Sequence, residues 1–207
     1  MDHTHHPAPE LIEADLDADP IVQFGRWYDD ALRAGLEQPE AMTLATATTE
    51  GLPSARIVLM KQFDAQGFVF YTNYRSRKGR ELDANPHAAL VFHWDALHRQ
   101  VRIEGRAQRV LPQESDRYFA SRPRENQLSA LASDQSQPTT RAELDRRFDQ
   151  ARIAYEGRAI PRPEHWGGFR LVPQTIEFWQ HRMARLNDRV VYRRQGHHRW
   201  RMQRLAP

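Results

Sequence analysis

Residues 75–80 have the composition of an anion-binding site. They read Arg-Ser-Arg-Lys-Gly-Arg, so four cations and one hydroxyl stand at the start of a short helical run. Backbone N–H groups at a helix start point outward with partial positive charge, which adds to the attraction for a phosphate. A solvated basic turn has the same composition, so this stretch alone leaves both interpretations open.

A second basic pair flanks the apolar residues of a predicted strand, Arg56–Lys61 (RIVLMK). Side chains alternate along a strand, which places Arg56 and Lys61 on opposite faces, with a cation at each end. A lysine in a strand is usually an edge residue. Of the 30 basic residues, however, only Lys61 and Lys78 are lysines, which favours a role that needs a compact ammonium group.

A third cluster lies where a predicted helix must end. Tyr118, Arg122 and Arg124 are close in sequence, and Arg122 precedes Pro123, which disfavours further helix. A tyrosine hydroxyl and arginines at a helix end can bind an oxyanion. Arginines that simply complement the helix dipole at a surface terminus explain the cluster equally well.

Several kinds of chemistry are excluded by composition. The chain has no cysteine, which rules out disulfides, thiolate zinc sites, iron–sulfur clusters and cysteine nucleophiles. Its ten histidines show no HExxH or other metal-ligand spacing. Redox chemistry would therefore have to come from a cofactor. Because no GxGxxG or GxxxxGK[ST] motif is present, side chains would have to hold a nucleotide phosphate.

The surrounding periodicity predicts the elements that position these groups. Asp19 caps a helix that starts at Pro20 and ends at Gly35, and Ser76 caps a short helix. Helices are also expected between residues 112 and 155, where Thr140 and Glu143 form a capping box. Strand patterns cover residues 41–49, 55–63, 68–73, 87–94, 99–111, 169–180, 188–194 and 199–205.

The order of these elements predicts a mainly β fold. Short strands with helices inserted between them, without regular βαβ alternation, favour an antiparallel β-barrel with peripheral helices over a Rossmann fold. The length of 207 residues suits one domain. We expect residues 1–18 to form a flexible N-terminal arm, because they lack apolar periodicity, and residues 19–207 to form the single domain.

Composition also predicts the cellular localisation of the protein. The chain is 40% hydrophobic with a mean hydropathy of −0.79, and no apolar run could span a membrane. Its first residues resemble neither a secretory signal nor a transit peptide. We therefore expect a soluble cytoplasmic protein without membrane contact. Eight arginines in residues 182–204 could indicate a nucleic-acid-binding tail, but they alternate with apolar residues as in strands, so we expect no specific nucleic-acid binding.

Taken in order, the motifs resemble those of the pyridoxine/pyridoxamine 5′-phosphate oxidase family. The resemblance runs from about Asp19 to Pro207. It is carried by PSARIVLMK, GFVFYTNYRSRKGREL, RQVRIEG, YFASRPRENQ, ASDQSQ, WGGFRL, IEFWQ, RLNDR and RLAP.

The resemblance implies an FMN-binding split β-barrel that forms a homodimer, with FMN in two equivalent sites at the subunit interface. Each site would draw on both chains, which would explain why no single segment contains a complete nucleotide pocket. By resemblance, the FMN-binding residues are Arg56, Ile57, Val58, Leu59, Met60, Lys61, Tyr71, Thr72, Arg77, Lys78, Gln100, Gln135, Ser136, Trp179 and Arg189.

The resemblance also implies the reaction. Family members use O2 to oxidise a small phosphorylated pyridine, pyridoxamine or pyridoxine 5′-phosphate, to pyridoxal 5′-phosphate, with release of H2O2 and, from the amine, ammonia. Lys61, Tyr118 and Arg122 would surround the substrate phosphate. Arg185 would be the catalytic residue, lying against the pyridine ring.

Two departures from the family pattern fall in this substrate site. The chain reads RLNDR where the family usually has RLHDR, so Asn187 replaces a histidine, and Asn126 stands where a serine often joins the phosphate site. An amide forms hydrogen bonds but does not titrate near neutral pH as histidine does. We expect slower turnover or a changed ring preference, with FMN binding intact.

Two alternatives remain open from the sequence. The first is a related oxidase of the same barrel that acts on another ring, as in phenazine pathways, although the phosphate-side residues Lys61, Tyr118 and Arg122 speak against it. The second is a non-catalytic protein that binds FMN or pyridoxal phosphate, which the departures at Asn187 and Asn126 would suggest.

Overall fold

An antiparallel sheet forms the body of the protein in a computed structural model, which describes residues 10–196 and 199–207. The described residues contain nine strands, and β2-β1-β5-β6-β7-β4-β3 are neighbours in that order, while β8 pairs with β7 and β9 with β8. The strands are β1 (Ala41–Ala47), β2 (Pro53–Leu59), β3 (Gln62–Asp64), β4 (Gly67–Asn73), β5 (His87–Trp94), β6 (Arg99–Arg109), β7 (Trp166–Gln180), β8 (Asp188–Gln195) and β9 (Arg199–Arg204). The predicted mainly β, antiparallel fold is confirmed.

The long strand β7 joins the two halves of the sheet. One edge of β7 pairs with β6, while the other edge pairs first with β4 and then with β8. The register between β6 and β7 shifts at Glu104/Gly105, and such bulges bend and twist strands. A Cβ on Gly105 would lie 2.1 Å from the Val172 carbonyl oxygen, so only glycine allows this close approach.

Five helices among the described residues pack around the sheet, and three of them start at the caps that the sequence predicted. They are α1 (Pro20–Arg33), α2 (Arg77–Ala84), α3 (Pro112–Ser121), α4 (Arg124–Ala132) and α5 (Arg141–Ala154). The Asp19 side chain accepts a hydrogen bond from the Ile21 N–H at 2.8 Å, and Gly35 follows α1 with φ of 72°. Three further 3₁₀ turns lie at Glu13–Asp15, Asp95–Leu97 and Met183–Arg185. No helix within the described ranges combines the length and apolar character needed to cross a membrane.

The main core is rich in aromatic rings between α1 and the sheet. Phe24 is fully buried and makes edge-to-face contacts with Phe63, Phe68 and Phe92 at centroid distances of 4.8–5.0 Å. Such contacts add to the hydrophobic stabilisation from burial. A smaller cluster around Phe119, Leu128, Ile160 and Trp166 fixes the helices α3–α5.

The predicted strand over residues 55–63 is divided in the structure. The β2 ladder ends at Leu59, after which the Met60 N–H bonds to the Glu40 carbonyl at 2.9 Å and the Lys61 N–H to the Val69 carbonyl at 2.8 Å. The chain thus leaves β1 and joins β4. Hydrophobic alternation continues across this exchange of partners, which is why the sequence suggested one strand.

The segment before α1 packs against the end of the chain. Leu11 is buried and its N–H donates to Asp188 Oδ2 at 3.1 Å, while Arg204 forms an ion pair with Glu13 at 2.8 Å. This stretch of the predicted flexible arm thus contacts residues far away in sequence, and the flexibility of residues 1–18 stays a prediction. Residues 1–9 lie outside the described residues, and the assignment of 19–207 to one domain stays a prediction.

Candidate functional site

A cavity of about 650 Å³ lies between the sheet and the helices α3 and α4. Fourteen of its lining residues lie on β2, on β4 or in the segment 118–133, which holds the end of α3 and all of α4. The predicted site residues among the lining are Ile57, Val58, Leu59, Lys61, Tyr71, Thr72, Lys78, Tyr118, Arg122, Asn126 and Gln135. The structure therefore brings together three clusters that are separate in sequence.

Arg122 is the cation most clearly prepared for an anion. Its backbone is extended, with φ of −70° and ψ of 149°, because the following Pro123 excludes helix and ends α3 there. Its guanidinium lies 4.7 Å from the Trp166 ring centroid, and its buried Nη1 has no hydrogen-bond partner among the described residues. Burial lowers the pKa of Arg122. A buried donor without a partner is costly unless a ligand satisfies it.

An aromatic stack forms the wall beside Arg122. The Tyr71 ring lies 3.9 Å from that of Tyr118 and 5.5 Å from that of Trp166, with interplanar angles of 20° and 11°. Burial raises the pKa of Tyr118, although the nearby Arg122 opposes this shift, and burial together with Glu114 raises the pKa of Tyr71 to about 12. Both hydroxyls therefore stay protonated at neutral pH and can donate hydrogen bonds.

Lys78 supplies a second cationic group on the cavity wall. Its Nζ donates to Gln135 Oε1 at 3.1 Å and to Thr72 Oγ1 at 3.3 Å. Burial, followed by the neighbouring charge of Arg56, lowers the pKa of Lys78. Its helix α2 starts at the predicted cap, since Ser76 Oγ accepts from the Gly79 N–H at 3.2 Å.

A buried carboxylate, Glu81, holds the two arginines next to this wall. Arg77 Nε donates to Glu81 Oε1 at 2.8 Å, and Arg56 Nη2 lies 3.5 Å from Oε2. Burial alone would raise the pKa of Glu81, but hydrogen bonds from Ser54, Thr46 and Arg77 outweigh it and bring the pKa to about 2. Sequence reasoning missed Glu81, although its spacing of four residues from Arg77 was a usable signal.

Not every residue predicted around the cofactor lines the cavity. Arg56 and Arg77 are directed toward Glu81, and Met60 is buried in the main core. Ser136, with a left-handed φ of 70°, accepts a hydrogen bond from the Arg77 N–H at 3.1 Å. This hydrogen bond connects the loop that contains Gln135 and Ser136 with the first residue of α2.

A second group of predicted residues lies in one row across three strands. The register pairs Gln100 of β6 with Trp179 of β7, and Trp179 with Arg189 of β8. None of the three lines the cavity. Arg189 binds Glu177, with Nε 2.8 Å from Oε1, and this contact together with the charge of Glu177 raises the pKa of Arg189 despite partial burial.

The predicted catalytic residue Arg185 also lies outside the cavity lining, on a loop at the start of β8. Ala184 and Arg185 both have left-handed backbones, with φ of 55° and 62°, which non-glycine residues adopt at a cost. Asn187 closes this loop, because its Oδ1 accepts a hydrogen bond from the Arg182 N–H at 3.0 Å.

The cavity residue Ile57 and the row of Gln100, Trp179 and Arg189 lie on the same face of the sheet, the one that points away from the core. A line of directly paired residues crosses β2, β1, β5, β6 and β7 on this face. In that order they are Ile57, Thr43, Val91, Arg102 and Glu177. Four strand spacings of about 4.8 Å separate β2 from β7, roughly 19 Å along a flat sheet. Ile57, at the cavity edge of this face, is 65% exposed. One chain therefore offers two separated half-sites on one face.

Two family models match the chain. The model described as pyridoxamine 5′-phosphate oxidase covers residues 28–155, and the model described as the pyridoxine 5′-phosphate oxidase C-terminal dimerisation region covers residues 166–207. Together they include the cavity and the row of Gln100, Trp179 and Arg189.

Curated relatives agree with the family models. A pyridoxine/pyridoxamine 5′-phosphate oxidase of Rubrobacter xylanophilus is 58% identical over 198 residues, which cover 95% of this chain and 91% of that protein. One of Herminiimonas arsenicoxydans is 51% identical over 205 residues, covering 99% of this chain and 97% of the relative.

Solved structures support the fold. PhzG from Burkholderia lata, determined with tetrahydrophenazine-1-carboxylic acid, has a TM-score of 0.90 and 32% identity over 97% of this chain and 100% of its own. A pyridoxamine 5′-phosphate oxidase-related, FMN-binding protein from Nostoc punctiforme has a TM-score of 0.75 at 16% identity, covering 93% and 100% of the two chains. The fold expected from the motifs, a split barrel, is confirmed.

Proposed function

This chain belongs to the pyridoxine/pyridoxamine 5′-phosphate oxidase family, and we propose that it oxidises pyridoxamine 5′-phosphate, pyridoxine 5′-phosphate or both to pyridoxal 5′-phosphate. The amine substrate, O2 and water give pyridoxal 5′-phosphate, ammonia and H2O2. The alcohol substrate and O2 give pyridoxal 5′-phosphate and H2O2. The enzyme is thus an oxidoreductase of vitamin B6 metabolism.

The observation that carries the proposal is the Arg122 end of the cavity. Lys61, Tyr118, Arg122 and Asn126 line it together, and Arg122 keeps a buried N–H group without a partner in the described chain. Two cations, a phenol and an amide supply the charge and donors that a phosphate monoester requires. We assign the substrate phosphate to this end.

The family implies a flavin, and we propose that the flavin is FMN. The donors fit such a group: Lys78 lies half-buried beside Thr72 and Gln135, and Arg56 and Arg77 are close by, so a phosphate there would be met by side chains. Gln100, Trp179 and Arg189 would face the ring. When bound, the flavin would accept the substrate's electrons and pass them to O2.

The dimerisation region indicates a homodimer, and we propose that its interface is the sheet face described above. Residues 166–207 include Trp179, Arg185, Asn187 and Arg189, which lie outside the cavity of their own chain. A second copy placed against Ile57 would bring its row of residues to this cavity. Each site would then combine both half-sites, and the partner would also exclude water.

The remaining task of the protein is to hold the substrate. With the phosphate fixed by Lys61, Tyr118 and Arg122, the pyridine ring has only a limited range of orientations, which lowers the entropic part of the barrier. Arg185 from the loop at β8 would lie against the pyridine ring. Tyr118 stays protonated and donates to the phosphate throughout.

The alternative of an oxidase for a phenazine ring draws on the likeness to PhzG at 32% identity. The cavity argues for the phosphorylated substrate, because its cations surround a position for phosphate and a phenazine carboxylic acid carries none. Relatives at 51–58% identity also have the B6 oxidase name.

The test uses purified protein. We expect a yellow dimer whose visible flavin absorbance bleaches when pyridoxamine 5′-phosphate is added without air and returns with O2. Pyridoxamine without the phosphate should bleach it far less. A coloured protein that reacts with neither substrate would contradict the proposed activity while leaving FMN binding intact, and a colourless protein that ignores added FMN would contradict the whole proposal.

A further inference from the structure

Glu177 is a buried acid without a role in the site described so far. It lies on β7, two residues before Trp179, so both side chains share one sheet face. Only 2% of Glu177 is exposed. An ionised carboxylate at such depth must be paired and hydrogen bonded to remain charged.

Two arginines from opposite neighbouring strands supply that pairing. Arg189 of β8 binds in a two-point arrangement, with Nε 2.8 Å from Oε1 and Nη2 3.2 Å from Oε2. Arg102 of β6 donates from Nη2 to Oε2 at 2.8 Å. The Ala206 carbonyl accepts from Arg189 Nη1 at 3.0 Å. Arg189 is therefore fixed at three points. Because Arg102 also pairs with Glu104, with Nε 3.2 Å from Oε1, the ion-paired cluster of two arginines and two glutamates has no net charge.

We propose that Glu177 is a positioning residue that fixes the Arg189 guanidinium and offsets its charge at the flavin ring, and so sets the reduction potential of the flavin. This inference rests on the proposed function, in which Arg189 faces the ring. Reduction adds negative charge to the ring system, so positive charge beside it favours the reduced form. Glu177 weakens that effect and Arg102 strengthens it.

The first test is Glu177→Gln in the flavin-loaded dimer. An amide keeps the size and an oxygen acceptor for Arg189 but removes the negative charge. We expect the flavin midpoint potential to move to more positive values and reoxidation by O2 to become slower. Asp149→Asn is the control, because it removes an exposed carboxylate paired with Arg152 on α5 and should leave the potential unchanged.

The second test is Arg102→Gln, which removes a cation from the other side of Glu177. We expect the opposite sign, a more negative potential, because Glu177 then acts on Arg189 alone. A purely structural role would change the unfolding temperature of either variant but leave both potentials at the wild-type value, and that result would overturn the proposal. Potentials that shift in the same direction, or loss of flavin from both variants, would overturn it as well.

A failure of the proposed role of Glu177 can be distinguished from a failure of the proposed function. If the wild-type protein binds no flavin, the proposed function itself fails. If the wild type binds flavin and oxidises substrate while the two variants keep its potential, only the role of Glu177 fails.

Discussion

Arg122 shows how one residue can be prepared for a ligand by its neighbours in sequence and in space. Pro123 ends the helix at that position, and Trp166 supports the guanidinium from 4.7 Å. The sequence could predict the helix end and the presence of a cation there. It could not predict the burial, which comes from residues more than forty positions later in the chain.

We predict that Arg122→Gln lowers kcat/KM for pyridoxamine 5′-phosphate roughly a hundredfold, since charge-assisted hydrogen bonds of about 3 kcal/mol would be lost. Flavin content should stay normal. The control is Arg117→Gln, an exposed arginine on the same helix, which should keep full activity. Steady-state kinetics with both variants test this prediction. If Arg122→Gln keeps the wild-type kcat/KM, the substrate phosphate binds somewhere other than at Arg122.

Asn187 has a contact that the sequence alone could not show. Comparison with the family pattern marked it as a departure from histidine, but the structure adds its hydrogen bond to the Arg182 N–H across the loop that carries Arg185. We predict that Asn187→Ala raises KM roughly fivefold through loss of about 1 kcal/mol. Asn187→Asp keeps the acceptor oxygen and should largely restore KM.

Replacing Asn187 by histidine tests whether activity depends on a side chain that titrates near neutral pH at this position. A histidine titrates at about pH 6.5, so Asn187→His should raise catalytic efficiency and add a pH dependence near that value. Equal efficiencies and equal pH profiles for the wild type and Asn187→His would show that the departure has no catalytic effect.

At the scale of elements, Glu81 ties the helix α2 to the strands β1 and β2. It accepts hydrogen bonds from Thr46 of β1 and Ser54 of β2 while it pairs with Arg77 of its own helix. This buried link holds the start of α2 beside the cavity. Its loss would therefore affect both stability and the position of the residues that we propose to bind phosphate.

We predict that Glu81→Gln lowers the free energy of unfolding at pH 7 by about 3 kcal/mol, because two arginines would lose a buried partner. The pKa of Glu81 is lowered from 4.5 to about 2, so its contribution is fully present above pH 4.5 and disappears as the pH falls toward 2. Thermal unfolding of both proteins across this range should therefore converge in acid. Parallel curves would contradict the assignment.

Most elements were predictable because their signals are local. The caps at Asp19, Ser76 and Thr140 and the strand alternation in β5 and β6 placed their elements correctly. Contacts with distant partners could not be predicted from such signals: the Lys61 N–H bonds to β4, and the Leu11 N–H bonds to Asp188. Likewise, the resemblance supplied the site residues and implied that each site draws on both chains, but the sequence could not show which of these residues line one cavity and which lie apart from it.

At the scale of the whole molecule, the exposed sheet face determines whether a site can be completed. Ile57 at the cavity edge and the strand of Trp179 lie four strand spacings apart, roughly 19 Å along a flat sheet. Under the proposed function, a second copy brings the cavity and the row at Trp179 together. Dimer formation and cofactor binding should therefore be lost together.

We predict that Ile57→Glu gives a monomer without bound flavin, because a charge would have to be buried in the interface. Ile153 is the matched control, since it is 70% exposed on α5, against 65% for Ile57, and Ile153→Glu should remain a yellow dimer. Light scattering with absorbance detection reports mass and flavin together. A dimeric Ile57→Glu protein would place the interface on another surface.

The position of Trp166 offers a practical benefit. Its indole lines the cavity next to Tyr71, within the range over which an excited indole transfers energy to a yellow chromophore. Ultraviolet emission from this side chain should therefore dim as the pocket fills and brighten as it empties. Under the proposed function, Trp166 would thus report occupancy of the cavity in a titration without any added dye.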